Sequence, residues 1–192
     1  MLLTISRMVG SPIMSLQTSK QLATIGQPII NPHDLNVIAF FVNGPRLDFE
    51  PAVLFSSDIR ELGRIGVIVD SSDSIMSPDD LVRLKKILDY RFSLDRLKVI
   101  DDHNHKLGVV DDYSFDSKDF IVKQIFVQPT MARRLSVTHL TINRSQIIEI
   151  DNQKLVVRAP SDKISSTAKQ SSSPNTIPFE NPFRTQPSLN TD

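Results

Sequence analysis

The chain has 192 residues, 22 basic and 22 acidic side chains, 40% hydrophobic content and no cysteine. That length holds one medium domain or two small ones, and the apolar fraction is enough for a core, so wholesale disorder is excluded. The balanced charge gives no global pull toward nucleic acid or an anionic membrane, and the missing cysteine removes disulfides, thiolate metal sites and cysteine nucleophiles.

In chain order, Met1-Leu2-Leu3-Thr4-Ile5 is apolar but stops at Ser6 and Arg7, short of the roughly 7–15 residues of a secretory apolar region. Strands follow at Pro12–Ser15, Leu22–Ile30, Asn36–Asn43, Ala52–Phe55 and Gly66–Asp70, rich in Val, Ile and Phe and broken by turn residues such as Asn31-Pro32-His33-Asp34. The longest apolar run, Val37–Val42, is far below the roughly 20 residues that span a bilayer, which points to a cytoplasmic chain. Ser77-Pro78-Asp79-Asp80 then starts a helix, with an N-cap serine, a proline and two acids in the first turn. Leu81, Leu84, Ile87 and Leu88 form its apolar stripe to about Asp89, and Arg83, Lys85 and Lys86 lie off it. A second strand set follows at Lys98–Ile100, Leu107–Phe115, Phe120–Gln128, Leu140–Asn143 and Lys154–Arg158. From Ala159 to Asp192, 19 of 34 residues are Pro, Ser, Thr or Asn, and such a segment reads as a disordered tail. Its Asn181-Pro182-Phe183 tripeptide is short enough to arise by chance.

The two strand sets are copies. With a shift of 85, Ser19–Val42 meets Asn104–Val127 without a gap: Leu22 with Leu107, Asp34 with Asp119, Leu35 with Phe120, Val37 with Val122 and Phe41 with Phe126. With a shift of 88, Ala52–Asp70 meets Leu140–Arg158: Ser57 with Ser145, Ile59 with Ile147, Glu61 with Glu149. The extra residues fall between the blocks, at the loops marked by Gly44-Pro45 and Pro129-Thr130, where insertions cost little. Five or so strands in about 70 residues suit a small antiparallel barrel, which hides its own edges. The expected fold is therefore mainly β: two small barrels at 1–76 and 91–160, a linker helix at 77–90 and a disordered tail at 161–192.

Several segments carry a family pattern: Met8-Val9-Gly10-Ser11-Pro12-Ile13 at the opening, then Leu107-Gly108-Val109-Val110-Asp111-Asp112. A long apolar strand follows, and Ser57-Asp58-Ile59-Arg60-Glu61-Leu62-Gly63 with Val67-Ile68-Val69 closes the unit. In these residues the chain resembles the PRC-barrel superfamily over about 1–76 and 91–160. That resemblance implies PRC-type barrels used as docking modules for another protein, as in the cytoplasmic part of the photosynthetic reaction-centre H subunit. The related barrel of the ribosome-maturation factor RimM implies a ribosome- or RNA-linked alternative. The first copy departs from the pattern: Ala23 replaces the glycine, and Gly26-Gln27 replace the acids. Any role of Asp111 and Asp112 therefore belongs to the second copy alone. In the second copy Gln146 stands where Asp58 stands in the first.

Candidate chemistry is thin. In a strand, His103 and His105 would share a face and suit zinc, with Asp101 and Asp102 beside them. The aligned stretch of the first copy, Leu16–Lys20, has no ligands, so a solvated turn is the favoured reading. His33 and His139 read as loop residues, and Gly63-Arg64-Ile65-Gly66 as a turn. No nucleophile elbow or phosphate loop occurs, so no catalytic residue, metal or cofactor is assigned. Residues 1–76 carry 5 basic and 7 acidic groups, and residues 77–160 carry 14 and 12, too even for a phosphate-tracking surface. There is no tryptophan, and Tyr90 and Tyr113 make no stacking platform. The candidate interface residues are Arg83, Lys86, Arg133, Arg134, Asp111 and Asp112. Phe40-Phe41 and Ile125-Phe126 put apolar groups on both faces of a strand, so both faces need cover. A monomer with pseudo-twofold barrels and the helix, or a homodimer, would supply it. The expected function is non-enzymatic macromolecule binding, with a protein as partner, a ribosomal or RNA partner second and a metal-assisted enzyme third.

Overall fold

Two tight turns fix the frame. The computed structural model describes residues 1–45, 47, 50–63, 66–77, 82–131 and 140–158. In the first turn, Asn31 Oδ1 accepts the His33 N–H at 3.1 Å and Asp34 Oδ1 accepts the Asn36 N–H at 3.0 Å. In the second, Asp116 Oδ1 accepts from Lys118 at 2.8 Å and Asp119 Oδ1 from Ile121 at 2.9 Å. These are side-chain-closed turns, and they explain why Asp34 and Asp119 align. Leu35 (φ 55°) and Phe120 (φ 54°) sit left-handed inside them. Bulky residues avoid that region, and burial of both side chains in the core holds them there. Ser19 (φ 55°) and Asn104 (φ 66°) repeat the device one hairpin earlier.

The elements are β1 (Leu2–Thr4), α1 (Ile5–Met8), β2 (Pro12–Ser15), β3 (Gln21–Asn31), β4 (Asn36–Asn43), β5 (Ala52–Phe55), β6 (Glu61–Gly63), β7 (Gly66–Val69) and β8 (Ile75–Met76). Then come α2 (Val82–Asp89), β9 (Lys98–Asp101), β10 (Lys106–Asp116), β11 (Val122–Pro129), β12 (Leu140–Asn143), β13 (Ile147–Ile150) and β14 (Lys154–Val157). The protein is mainly β, in two sheets. One runs β6-β7-β2-β3-β4-β5-β8, the other β13-β14-β9-β10-β11-β12. The shared part of the order is the same in both, down to a parallel pair, β2 with β7 and β9 with β14, in otherwise antiparallel sheets. Among the described residues no ladder joins the two end strands of either sheet.

The first sheet ends with β8 at Met76. The amino terminus differs from expectation: β1 pairs with β10, Leu3 opposite Phe115, so it belongs to the second sheet. A three-residue strand carries too little pattern to reveal a long-range partner. The expected helix start at Pro78–Leu81 and the tail from Ala159 lie outside the described residues. From Val82 on, the helix packs Leu84, Ile87 and Leu88 on the outer face of the first sheet, against Ile29, Ala39, Val53 and Phe41.

The sheets meet around a local two-fold relation. Asn36 bridges Ile121, its own counterpart at the 85-residue shift. Val37 N–H donates to Phe120 O at 2.9 Å, and reciprocally Val122 N–H donates to Leu35 O at 3.0 Å. Arg144 Nη2 adds a bond to Asp34 O at 2.8 Å. Behind this seam one contiguous cluster of buried side chains runs through both sheets, with Phe40 and Phe115 in ring contact at 6.5 Å and Phe115 stacked on Phe120 at 5.8 Å. Met1–Pro160 form one compact unit accordingly.

Candidate binding cleft

The segments that lead into each copy line one cleft. Gly10 N–H donates to Ile25 O at 2.7 Å, and Arg96 N–H donates to Val110 O at 3.1 Å. These equivalent bonds dock each lead-in segment on its own sheet. α1 also reaches β10, where Ser6 Oγ donates to Asp112 Oδ2 at 2.6 Å and Ser6 N–H to Oδ1 at 3.3 Å. Between β3, β10 and the two lead-in segments lies a cleft of about 700 Å³, within the size range of small-molecule sites.

Its walls pair equivalent positions: Gln27 with Asp112, Pro28 with Tyr113. The apolar side is formed by Ile29, Phe41, Leu88 and Phe92. The polar side is uneven, because Asp95, Asp111 and Asp112 line it with Arg91 as the only lysine or arginine among the lining residues. Asp111 and Asp95 are exposed, and no ion pair reaches any of the three acids among the described residues. Tyr113, 4% exposed and part of the core, is among the residues lining the cleft. Burial first, then the charges of Asp112 and Asp95, push this phenol far above its ordinary pKa, so it stays a neutral donor.

The structure thus brings together two of the six candidate interface residues, Asp111 and Asp112. Lys86 is exposed on α2 and does not line the cleft. Arg133 and Arg134 lie outside the described residues, as does the side chain of Arg83. Tyr113, Asp95, Arg91 and Phe92 escaped the sequence reading. Tyr113 directly follows the acids but was weighed only as a stacking residue with Tyr90, and the other three sit between recognisable elements.

The Asp101–His105 segment is a turn closed by its own aspartate. Asp101 Oδ1 accepts the His103 N–H at 3.0 Å and the His105 N–H at 2.7 Å, and Oδ2 lies 3.0 Å from His105 Nδ1. Desolvation works to raise the Asp101 carboxyl, but these bonds outweigh it and hold its pKa below the ordinary value. Among the described residues no group of three or more His, Cys, Asp or Glu is placed to hold a metal. No described helix is long and apolar enough to cross a membrane. Comparison of the chain with protein-family models finds no match, and comparison with curated proteins finds none.

Proposed function

We propose that the chain is a tandem PRC-type barrel protein of the cytoplasm, its two barrels linked by the helix around α2, that works as a non-enzymatic docking module for another protein. Support for the barrels comes from the duplicated strand order, and from register shifts in β3 and β10 that bend these long strands. The observation that carries the docking role is the unequal treatment of two equivalent strand edges. The outer edge of β5 is covered by β8, with Leu54 opposite Ile75 and Ile75 buried. The outer edge of β12, the counterpart of β5, has no strand beside it among the described residues. An open edge offers a row of backbone donors and acceptors that a partner's extended segment completes.

The test is capture from native lysate on the full chain, with hydrogen exchange read on the complex. A protein partner that slows exchange at residues 140–143 and not at 52–55 is expected. A partner that protects other segments overturns the edge assignment. Ribosomal proteins and RNA lost at high salt would favour the ribosome-linked reading instead.

A further inference from the structure

We infer that the edge of β12 is closed by residues 161–165 of this same chain, as β8 closes the edge of β5, and that this segment regulates the edge by competing with a partner for it. The inference deepens the docking reading and rests on it for what displaces the segment. Residues 161–165 lie outside the described residues, so the assignment comes from the described edges and from the sequence.

The two edges are built alike. Leu54 of β5 stands opposite Phe40, and Ile142 of β12 opposite Ile125, which is the same pairing at the repeat shifts of 88 and 85. β8 lies on β5 with Ile75 opposite Leu54 and Met76 opposite Val53. The turn ahead of it, Ser72–Ser74, is closed by Ser71 Oγ, which accepts the Asp73 N–H at 3.2 Å. An equivalent of β8 belongs after β14, because β7 and β14 end at equivalent residues, Val69 and Val157. The sequence has one there. Ser72-Asp73-Ser74-Ile75 recurs as Ser161-Asp162-Lys163-Ile164, with five residues between Val69 and Ile75 and six between Val157 and Ile164. The one extra residue falls in the connection, where it costs little.

The residues assigned to face each other have also changed together. Side chains alternate between the two faces along a strand, and residues opposite each other share a face. On the core side Leu54 and Ile75 are both buried, and Ile142, buried too, keeps an aliphatic partner in Ile164. On the outer side Val53, in the cluster that α2 covers, has Met76 opposite. Its counterpart Thr141 is exposed, and Ser165 takes the place of Met76. The aliphatic pair has stayed aliphatic and the apolar outer pair has turned polar, each as its face requires.

This closure is weaker than that of β8. The chain after β8 leads to α2, whose Leu84, Ile87 and Leu88 pack on the same sheet. After Ile164 no large apolar residue follows until Ile177. One aliphatic side chain therefore supplies most of the hold, and the short tether keeps the segment's effective concentration high. A partner strand that places its own aliphatic residue opposite Ile142 can take the edge over.

The test uses the full chain, whose lack of cysteine makes an engineered pair unambiguous. Thr141→Cys with Ser165→Cys is expected to form an intrachain disulfide under mild oxidant about tenfold faster than Thr141→Cys with Ser173→Cys, because residues facing across a ladder stand near disulfide reach. In hydrogen exchange, Ile164→Asp is expected to speed exchange at residues 140–143 about tenfold and to leave residues 52–55 unchanged, whereas Ile177→Asp changes neither. Equal oxidation rates for the two cysteine pairs, or unchanged exchange in Ile164→Asp, would overturn the closure. A disulfide that joins two chains would put the segment on a second copy and overturn it as well. The docking reading fails separately. With the closure upheld, that reading is lost if no partner protects residues 140–143 even in Ile164→Asp. With the closure overturned, it stands if a partner protects those residues equally in both forms.

Discussion

The outer faces of the two sheets make an instructive comparison. On the first, Ile29, Ala39 and Val53 are buried under Leu84 of α2. On the second, the equivalent positions are Ser114, Gln124 and Thr141, and Thr141 is exposed. The same backbone order has thus diverged into a sheet apolar on both faces and a sheet with a polar outer face. Phe41 is packed against the helix cluster, while its counterpart Phe126 is half-buried without that cover. A strand apolar on both faces needs cover, and the helix is that cover for one copy. The strand β1 serves the other copy differently, pairing along the stretch of β10 that lies beyond β9 and not roofing a face.

Removing the shared core tests how far the copies remain one unit. Phe40→Ala should cost about 4 kcal/mol, and urea unfolding should stay a single transition, because Phe40 and Phe115 belong to one cluster. Two resolved transitions would show that the halves are energetically separate. The outer faces should answer with opposite signs. Ile29→Ala should destabilise by about 3 kcal/mol. Its counterpart Ser114 has a buried Oγ without a partner, so Ser114→Ala should stabilise by about 1 kcal/mol; thermal melts of both variants settle the sign.

A subtler difference lies where β3 meets β4 and β10 meets β11. A Cβ on Gly108 would stand 2.0 Å from Gln128 O, a backbone atom that cannot step aside. The counterpart of Gly108 is Ala23, and there a glycine stands across the ladder at Gly44, whose added Cβ would lie 3.1 Å from Leu22 O and 3.3 Å from the Ala23 Cβ, tight but not overlapping. Gly108→Ala should therefore cost about 2–3 kcal/mol and Gly44→Ala about 1 kcal/mol, read by urea midpoints. Comparable losses at both sites would mean that β10 gives way as readily as β4.

Acid should act on the second copy first. Asp101 has a folded pKa below its ordinary value, so its stabilisation is present above that ordinary value and is lost as pH falls through the folded one. The same direction holds for Asp116 and Asp119, held by hydrogen bonds from Lys118 and from Lys123 respectively. In the ladders Ser15 of the first copy takes the place of Asp101, pairing with Val69 as Asp101 pairs with Val157 and standing one residue off the 85-residue alignment, and its Oγ accepts the Thr18 N–H at 3.2 Å, a bond with nothing to titrate. Asp101→Ser should flatten the loss of stability between neutral pH and about pH 3, measured as unfolding midpoint against pH.

Ten of the strands were legible because each combines β-branched or aromatic residues with turn residues at its ends. The duplication was legible because the turns need specific side chains, as Asp34 and Asp119 show. What escaped depends on distant partners. β6 and β8 are too short to carry a period, β13 follows β12 across a single three-residue turn, Arg144–Gln146, and the pairing of β1 with β10 joins residues more than a hundred positions apart. The cleft escaped for the same reason: its walls come from five separate segments, and only Asp111 and Asp112 announced themselves.

The reciprocal bonds between Val37 and Phe120 and between Val122 and Leu35 have an evolutionary corollary. Two identical chains meeting across such an axis must carry every substitution twice, so any charge introduced near it faces its own image. Covalent fusion lifts that obligation. One flank is free to gather carboxylates while the other stays neutral, and a lopsided pocket becomes accessible to a protein that began as a mirror of itself in sequence.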